Sequence, residues 1–198
     1  MPENETAGRI MPKLGAEPIR KAALINAAIH EIGQAGSLDV TVAQIARRAG
    51  MSSALAHHYF GSKDQIFLQA MRYILRIYGN SVRSGLPGRG TRGRLDVILA
   101  ASFAPENFRR DTISAWLNFY VLALTNPEAA RLLRVYHRRL RSNLIVALRP
   151  LTDNPAGMAD AIGALIDGVY LRIVLKPGPV DTGTGLAIVN DYLKEALA

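Results

Sequence analysis

Two adjacent histidines, His57 and His58, lie in a stretch reading AQIARRAGMSSALAHHYFGSK, together with two arginines, two serines, Tyr59 and Lys63. Such side chains can bind a metal, move protons, or touch a polyanion. Neighbouring residues on a helix point about 100° apart, so adjacent imidazoles cannot close on one ion as a pair at i and i+4 does. Other chemical motifs are fragments. HEIGQ from His30 lacks the second histidine of a zinc-protease signature, GTGLA from Gly183 lacks the strand that precedes a dinucleotide loop, and GSK at Gly61 lacks the upstream glycine of a phosphate loop. No Gly-x-Ser-x-Gly or paired-carboxylate constellation stands out. The sequence therefore predicts a protein that is not an enzyme, with no metal and no cofactor, and leaves contact with a polyanion as the use for the histidines.

Composition points the same way. The 198 residues include no cysteine, which excludes disulfides, thiolate catalysis and cysteine zinc sites. A formal charge of +8 favours an anionic partner, although the basic residues are spread along the chain and not gathered in one tail. No apolar run reaches the ~18 to 20 residues of a membrane span, and the opening MPENETAGRIMPKLG has no hydrophobic signal core. These features predict a cytoplasmic protein without a membrane partner. Residues 1–15 read as a disordered extension, with Met11 an alternative start.

Apolar residues recur at three and four and not at two, which predicts an all-α fold of about nine helices. The first helix is expected from Pro18, with Leu24, Ile25, Ala28, Ile29 and Ile32 on one face and Gly33 and Gly36 at its end. Thr41 and Gln44 have capping-box spacing, so a short second helix begins at Val42 and stops at Gly50. Ser52 caps a short third helix, and Ser62 with Gln65 forms another expected capping box before a long fourth. The glycine-rich SGLPGRGTRGR breaks the periodicity, and further helices are expected near 92–103, 106–125, 127–149, 155–175 and 182–197. Asn126-Pro127 and Asn154-Pro155 mark two of these starts.

Two short helices joined by a tight Gly50-Met51 turn fit the helix-turn-helix plan, whose second helix enters the DNA major groove. On a wheel of about 100° per residue, Ala56 and Phe60 share a side that can pack on Ile45 and Ala49. Ala54, Leu55, His57 and His58 spread over the other side, where methyl groups suit thymine and histidine or serine suits a base edge. Tyr59 and Lys63 are placed for phosphate.

The run TVAQIARRAGMSSALAHHYFGSKDQIF resembles the TetR family of bacterial repressors. That resemblance implies a helix-turn-helix domain over 16–62, its motif at about 41–60, and a helical ligand-binding and dimerisation domain over 63–198. It implies that Thr41 and Gln44 open the supporting helix, that Ser52, Ser53, Ala54, Leu55, His57, His58 and Tyr59 belong to the recognition helix, and that Lys63 grips the DNA backbone. It also implies a homodimer, joined through helices eight and nine, on a double-stranded operator. The pattern departs from many members at His57, where an aromatic residue is common, and at the small Ala56. Within the family, MPKLG, IRKAALI, VAQIARRAG, HYF ahead of Lys63, RRLRSNL and ALIDGVYLR resemble the choline-responsive repressors of glycine-betaine synthesis. Choline is thereby implied as the small-molecule effector; the alternatives are a repressor of another pathway that senses a different hydrophobic or cationic ligand and, more remotely, a helical enzyme or carrier.

Trp116, Phe119 and Tyr120 lie on one side of the sixth expected helix, and Asp167 and Tyr170 share a side of the eighth, which is apolar almost all round and must be buried. Plain packing is one reading of these aromatics. The other is a pocket in which aromatic faces and one carboxylate hold a quaternary ammonium. Arg131, Arg134, Arg138 and Arg141 recur at helical spacing and read as a solvated face, with a second anionic-partner surface the alternative.

Overall fold

A computed structural model describes residues 16–197; the expected extension over 1–15 lies outside the described residues. Among the described residues the chain forms α1 (Ala16–Ala35), α2 (Val42–Arg48), α3 (Ser53–Phe60), α4 (Lys63–Gly85), α5 (Thr91–Ser102), a 3-10 turn (Pro105–Phe108), α6 (Arg110–Thr125), α7 (Pro127–Leu148), α8 (Pro155–Leu175) and α9 (Thr182–Ala196). There is no strand among them. No described helix is long and apolar enough to cross a membrane.

Side-chain caps fix many of the starts. Thr41 Oγ1 accepts from the Gln44 amide at 3.1 Å, and the Thr41 amide donates back to Gln44 Oε1 at 2.7 Å, which completes the box ahead of α2. Thr41→Ala is expected to lower stability by about 1 kcal/mol, readable as an earlier urea midpoint with an unchanged slope. Ser62 also caps its helix through the Gln65 amide, but the expected second box is only half formed. The Gln65 side chain instead donates to Glu128 Oε2 at 2.7 Å, a charge-assisted bond that ties the start of α4 to the start of α7.

Two further expectations are corrected. The first helix runs through Gly33 and stops beside Gly36, whose φ of +68° suits a residue without a Cβ. Gly33 serves packing: a Cβ there would stand 2.5 Å from the Asp111 Cα, so its absence lets α1 lie directly on the start of α6. The helix expected over 106–125 is divided by Arg109 in extended conformation. Asn107 holds the preceding turn, donating through its amide to the carbonyls of Ala101 and Ser102 at 2.9 and 3.2 Å, so the end of α5 is satisfied there.

Packing produces two apolar clusters. One joins α1 to α4 with Trp116 and Phe119 of α6; the other gathers α5, α7, α8 and α9 around Leu95, Leu99, Leu144 and Ile162. Tyr136 and Tyr170 border both clusters. The short helices therefore share a core with α6, and the seam between the clusters is lined by aromatic rings.

Candidate DNA-reading face and effector chamber

Ala56 is fully buried and Phe60 is half-buried against Ile45 and its neighbours, which seats α3 on the first cluster. Ala54, His57 and His58, at i, i+3 and i+4, are left exposed on one face, while Leu55 and Ser53 are half-buried. The Ser52 hydroxyl accepts from the Leu55 amide at 3.2 Å and so caps α3. His57 Nδ1 lies 2.5 Å from the Gly61 carbonyl oxygen. A carbonyl only accepts, so Nδ1 carries the proton and Nε2 of the neutral ring is an acceptor. His58 stands 5.7 Å from the Tyr59 ring, and the Lys21 ammonium lies 5.6 Å from that ring on its own account.

The structure gives other expected contacts a local task first. Gln44 Oε1 is occupied by both the amide and the hydroxyl of Thr41. Lys63 Nζ donates to the Leu38 carbonyl at 2.9 Å, bracing the loop between α1 and α2. Among the described residues no three histidine or acidic side chains gather as a metal site.

A separate, narrow cavity with about 30 Å³ of accessible space occupies the aromatic seam. That is room for little more than a water and well below the ~300–1,000 Å³ of an open small-molecule site, so the rings close the seam in this state. Trp116 and Tyr120 reach it from α6, Asp167 and Tyr170 from α8. Tyr136 of α7 and Tyr78 of α4 complete the ring of aromatics, and neither was singled out in the sequence. Tyr136 hides among charges in RVYHRRL; its only signal is the inward spacing it shares with Leu132, Leu140 and Leu144. Phe119 is not part of the lining. It is fully buried and sets its ring 6.5 Å from Phe67, so it is a packing residue between α4 and α6.

Trp116 lies 5.2 Å from Tyr136 and 5.8 Å from Tyr120, centroid to centroid, and Tyr136 meets Tyr78 edge-on at 5.8 Å. The Tyr120 hydroxyl donates to Asp167 Oδ1 at 3.4 Å, and His137 Nε2 stands 3.6 Å from Oδ2. Tyr170 donates to the Asn107 carbonyl at 3.1 Å, which ties the chamber to the 3-10 turn. Burial raises the hydroxyls of Tyr120, Tyr136 and Tyr170 far above their ordinary range, so all three remain neutral donors. Burial also pushes the Asp167 carboxyl up, opposed by His137 and by the Tyr120 hydrogen bond.

The raised carboxyl has a measurable consequence. Asp167 holds its proton to higher pH in the folded chain than in the unfolded one, so folding takes up a proton in the window between those two values. Stability is then expected to fall as pH climbs through that window, and Asp167→Asn to flatten this part of a melting-temperature profile against pH.

A short helix, turn and reading helix ahead of a larger helical body define a DNA-binding transcriptional regulator. Residues 24–70 match the family described as "Bacterial regulatory proteins, tetR family", and residues 91–198 match "BetI-type transcriptional repressor, C-terminal". The chain belongs to the TetR family, in its BetI-type branch, and is a DNA-binding repressor and not an enzyme. It is 48% identical to the HTH-type transcriptional regulator BetI of Brucella anthropi over 186 residues, covering 92% of this chain and 96% of that one. The BetI of Agrobacterium fabrum is 46% identical over 185 residues, covering 92% and 90%. Among solved structures, a transcriptional regulator from Saccharomonospora viridis in complex with choline superposes with a TM-score of 0.81 at 22% identity, covering 89% of this chain and 96% of that one. A regulator from Pseudomonas aeruginosa superposes with a TM-score of 0.78 at 24% identity, covering 95% and 92%.

Proposed function

We propose that this repressor acts as a homodimer on a pseudo-palindromic operator, senses choline in the aromatic chamber, and controls genes that convert choline to glycine betaine. The observation that carries the reading is Asp167 among Trp116, Tyr120, Tyr136 and Tyr170. Ring faces attract a quaternary ammonium through their quadrupoles, and a carboxylate among them supplies its counter-charge. The choline-bound regulator of S. viridis shares the fold, which supports the same class of ligand here.

The chamber also suggests how binding reaches DNA. Its rings stand at direct packing distance, so a trimethylammonium group must part them. Parting them moves α6, whose first turn bears on Gly33 of α1, and α1 packs on α2, against which α3 rests. A shift in spacing between the two reading helices of a dimer would spoil the fit to half-sites ~34–36 Å apart. Choline must then bind the DNA-incompetent arrangement more tightly, since equal affinity for both shifts nothing. Leu175 on α8, Val180 in the following loop and Ile188 on α9 are exposed apolar side chains that dimerisation through those two helices would cover.

At the DNA end, Ala54 and His58 face the base edges, and His57, with Nε2 an acceptor, suits an amino group of adenine or cytosine. Lys63 has the reach for phosphate once released from Leu38. His58→Ala is expected to change base preference by about 1–3 kcal/mol per affected pair, while Lys63→Ala weakens all DNA alike. Equal losses on operator and random DNA for both variants would remove His58 from base reading. The proposal as a whole is tested by titrating choline, betaine aldehyde and glycine betaine into an operator-bound complex followed by fluorescence anisotropy. Choline should release the DNA; silence toward all three would overturn the assigned effector.

A further inference from the structure

Behind the chamber, on the outer side of Tyr78 and Tyr136, a groove open to solvent, with about 530 Å³ of accessible space, runs between α4 and α7. The two walls recur at helical spacing. Leu75 and Val82 of α4, with Leu86 just past its end, face Leu132, Val135 and Leu140 of α7, with Val82 and Leu140 buried and the others half-buried. Midway along α4 is Gly79, and nothing lies within 4 Å of where its Cβ would be, so the groove is open at that point down to the helix backbone. A glycine inside a helix costs about 0.5–1 kcal/mol relative to alanine, and no close neighbour demands this one.

The rim is cationic. Arg72, Arg76, Arg83 and Arg139 line the groove, and among the described residues no carboxylate does. Arg72 is held by Glu128. The others make no ion pair among the described residues: Arg76 lies over the Tyr73 ring at 5.4 Å, Arg83 donates to Asn80 Oδ1 at 3.1 Å, and both are exposed, as is Arg139. We infer that the groove between α4 and α7 binds a small amphiphile with an unbranched apolar tail and an anionic head, a medium-chain alkyl carboxylate being the simplest. The tail lies along the leucines and valines past Gly79, and the head meets Arg76, Arg83 or Arg139. From Arg72 to Gly85 the helix rises ~20 Å, enough for a ten-carbon tail. A quaternary ammonium is repelled from this rim and attracted to Asp167, so the groove and the chamber select opposite charges. Tyr78 and Tyr136 form the wall common to both, so an occupied groove presses on the aromatic box.

The experiment is isothermal titration of decanoate, below its micellar range, into the intact protein, with decanol as the neutral probe of equal tail length. One decanoate per chain is expected, with decanol bound about tenfold more weakly. Gly79→Leu fills the groove and is expected to abolish binding while improving helix propensity, so operator binding persists. The double variant Arg76→Gln, Arg139→Gln is expected to weaken decanoate about tenfold and leave decanol unchanged. Absence of saturable decanoate binding, equal affinity for decanol, or full decanoate affinity in the Gly79→Leu protein would each overturn the inference.

Discussion

Asp167→Asn is expected to leave the protein folded and bound to its operator while weakening choline about a hundredfold. A charge-assisted contact in a half-dry site contributes about 1.5–3 kcal/mol, and each 1.4 kcal/mol is a factor of ten. The substitution keeps the shape and the acceptor for the Tyr120 hydroxyl but removes the only carboxylate among the described residues that lines the chamber. It also removes a buried carboxyl whose ionised form burial disfavours, so the melting temperature at neutral pH should hold or rise. Loss of effector response with undiminished stability is a combination that a packing role for Asp167 would not give. Calorimetry with choline, beside a thermal melt of the same sample, reads both.

Gly33→Ala should damage the DNA-binding end from a distance. The added methyl meets the backbone of Asp111, which cannot rotate away as a flexible side chain does, so α1 or the start of α6 must shift. Overpacking of this kind costs about 1–3 kcal/mol and sometimes more. Because α1 packs on α2, and α3 rests on α2 in turn, operator affinity is expected to fall at least about tenfold, along with a melting temperature lower by several degrees. Gly79→Ala is the matched contrast: its Cβ enters open space in the middle of α4, so the same chemical change should raise stability by about 0.5–1 kcal/mol. If both variants lose stability equally, the close approach of α1 and α6 is not what Gly33 serves.

The sequence shows those parts of the molecule that depend on local rules. Proline at first turns, Asn126 and Asn154 as caps, and the Thr41-Gln44 box place helix starts within a residue or two, because each satisfies backbone groups a few positions away. The outward face of α3 follows from the same periodicity. What depends on distant partners was not legible. Gly33 reads as a helix stop until Asp111 is seen against it, and Gln65 reads as half of a capping box until Glu128 competes for its amide. Phe119 reads as a chamber residue because it shares a helix side with Trp116 and Tyr120, yet it turns toward Phe67. Tyr78 and Tyr136 come from helices whose sequence separation conceals that their rings meet. Local pattern shows which face of a helix is apolar, and only tertiary packing shows which rings on that face surround a space.

The central claim, that the chamber selects a positive charge and not merely a shape, is tested most directly by calorimetry with choline and its neutral isostere 3,3-dimethylbutan-1-ol, in which carbon replaces the quaternary nitrogen. Choline is expected to bind one molecule per chain and at least about tenfold more tightly than the isostere. Equal affinities, with Asp167→Asn leaving both unchanged, would contradict the account.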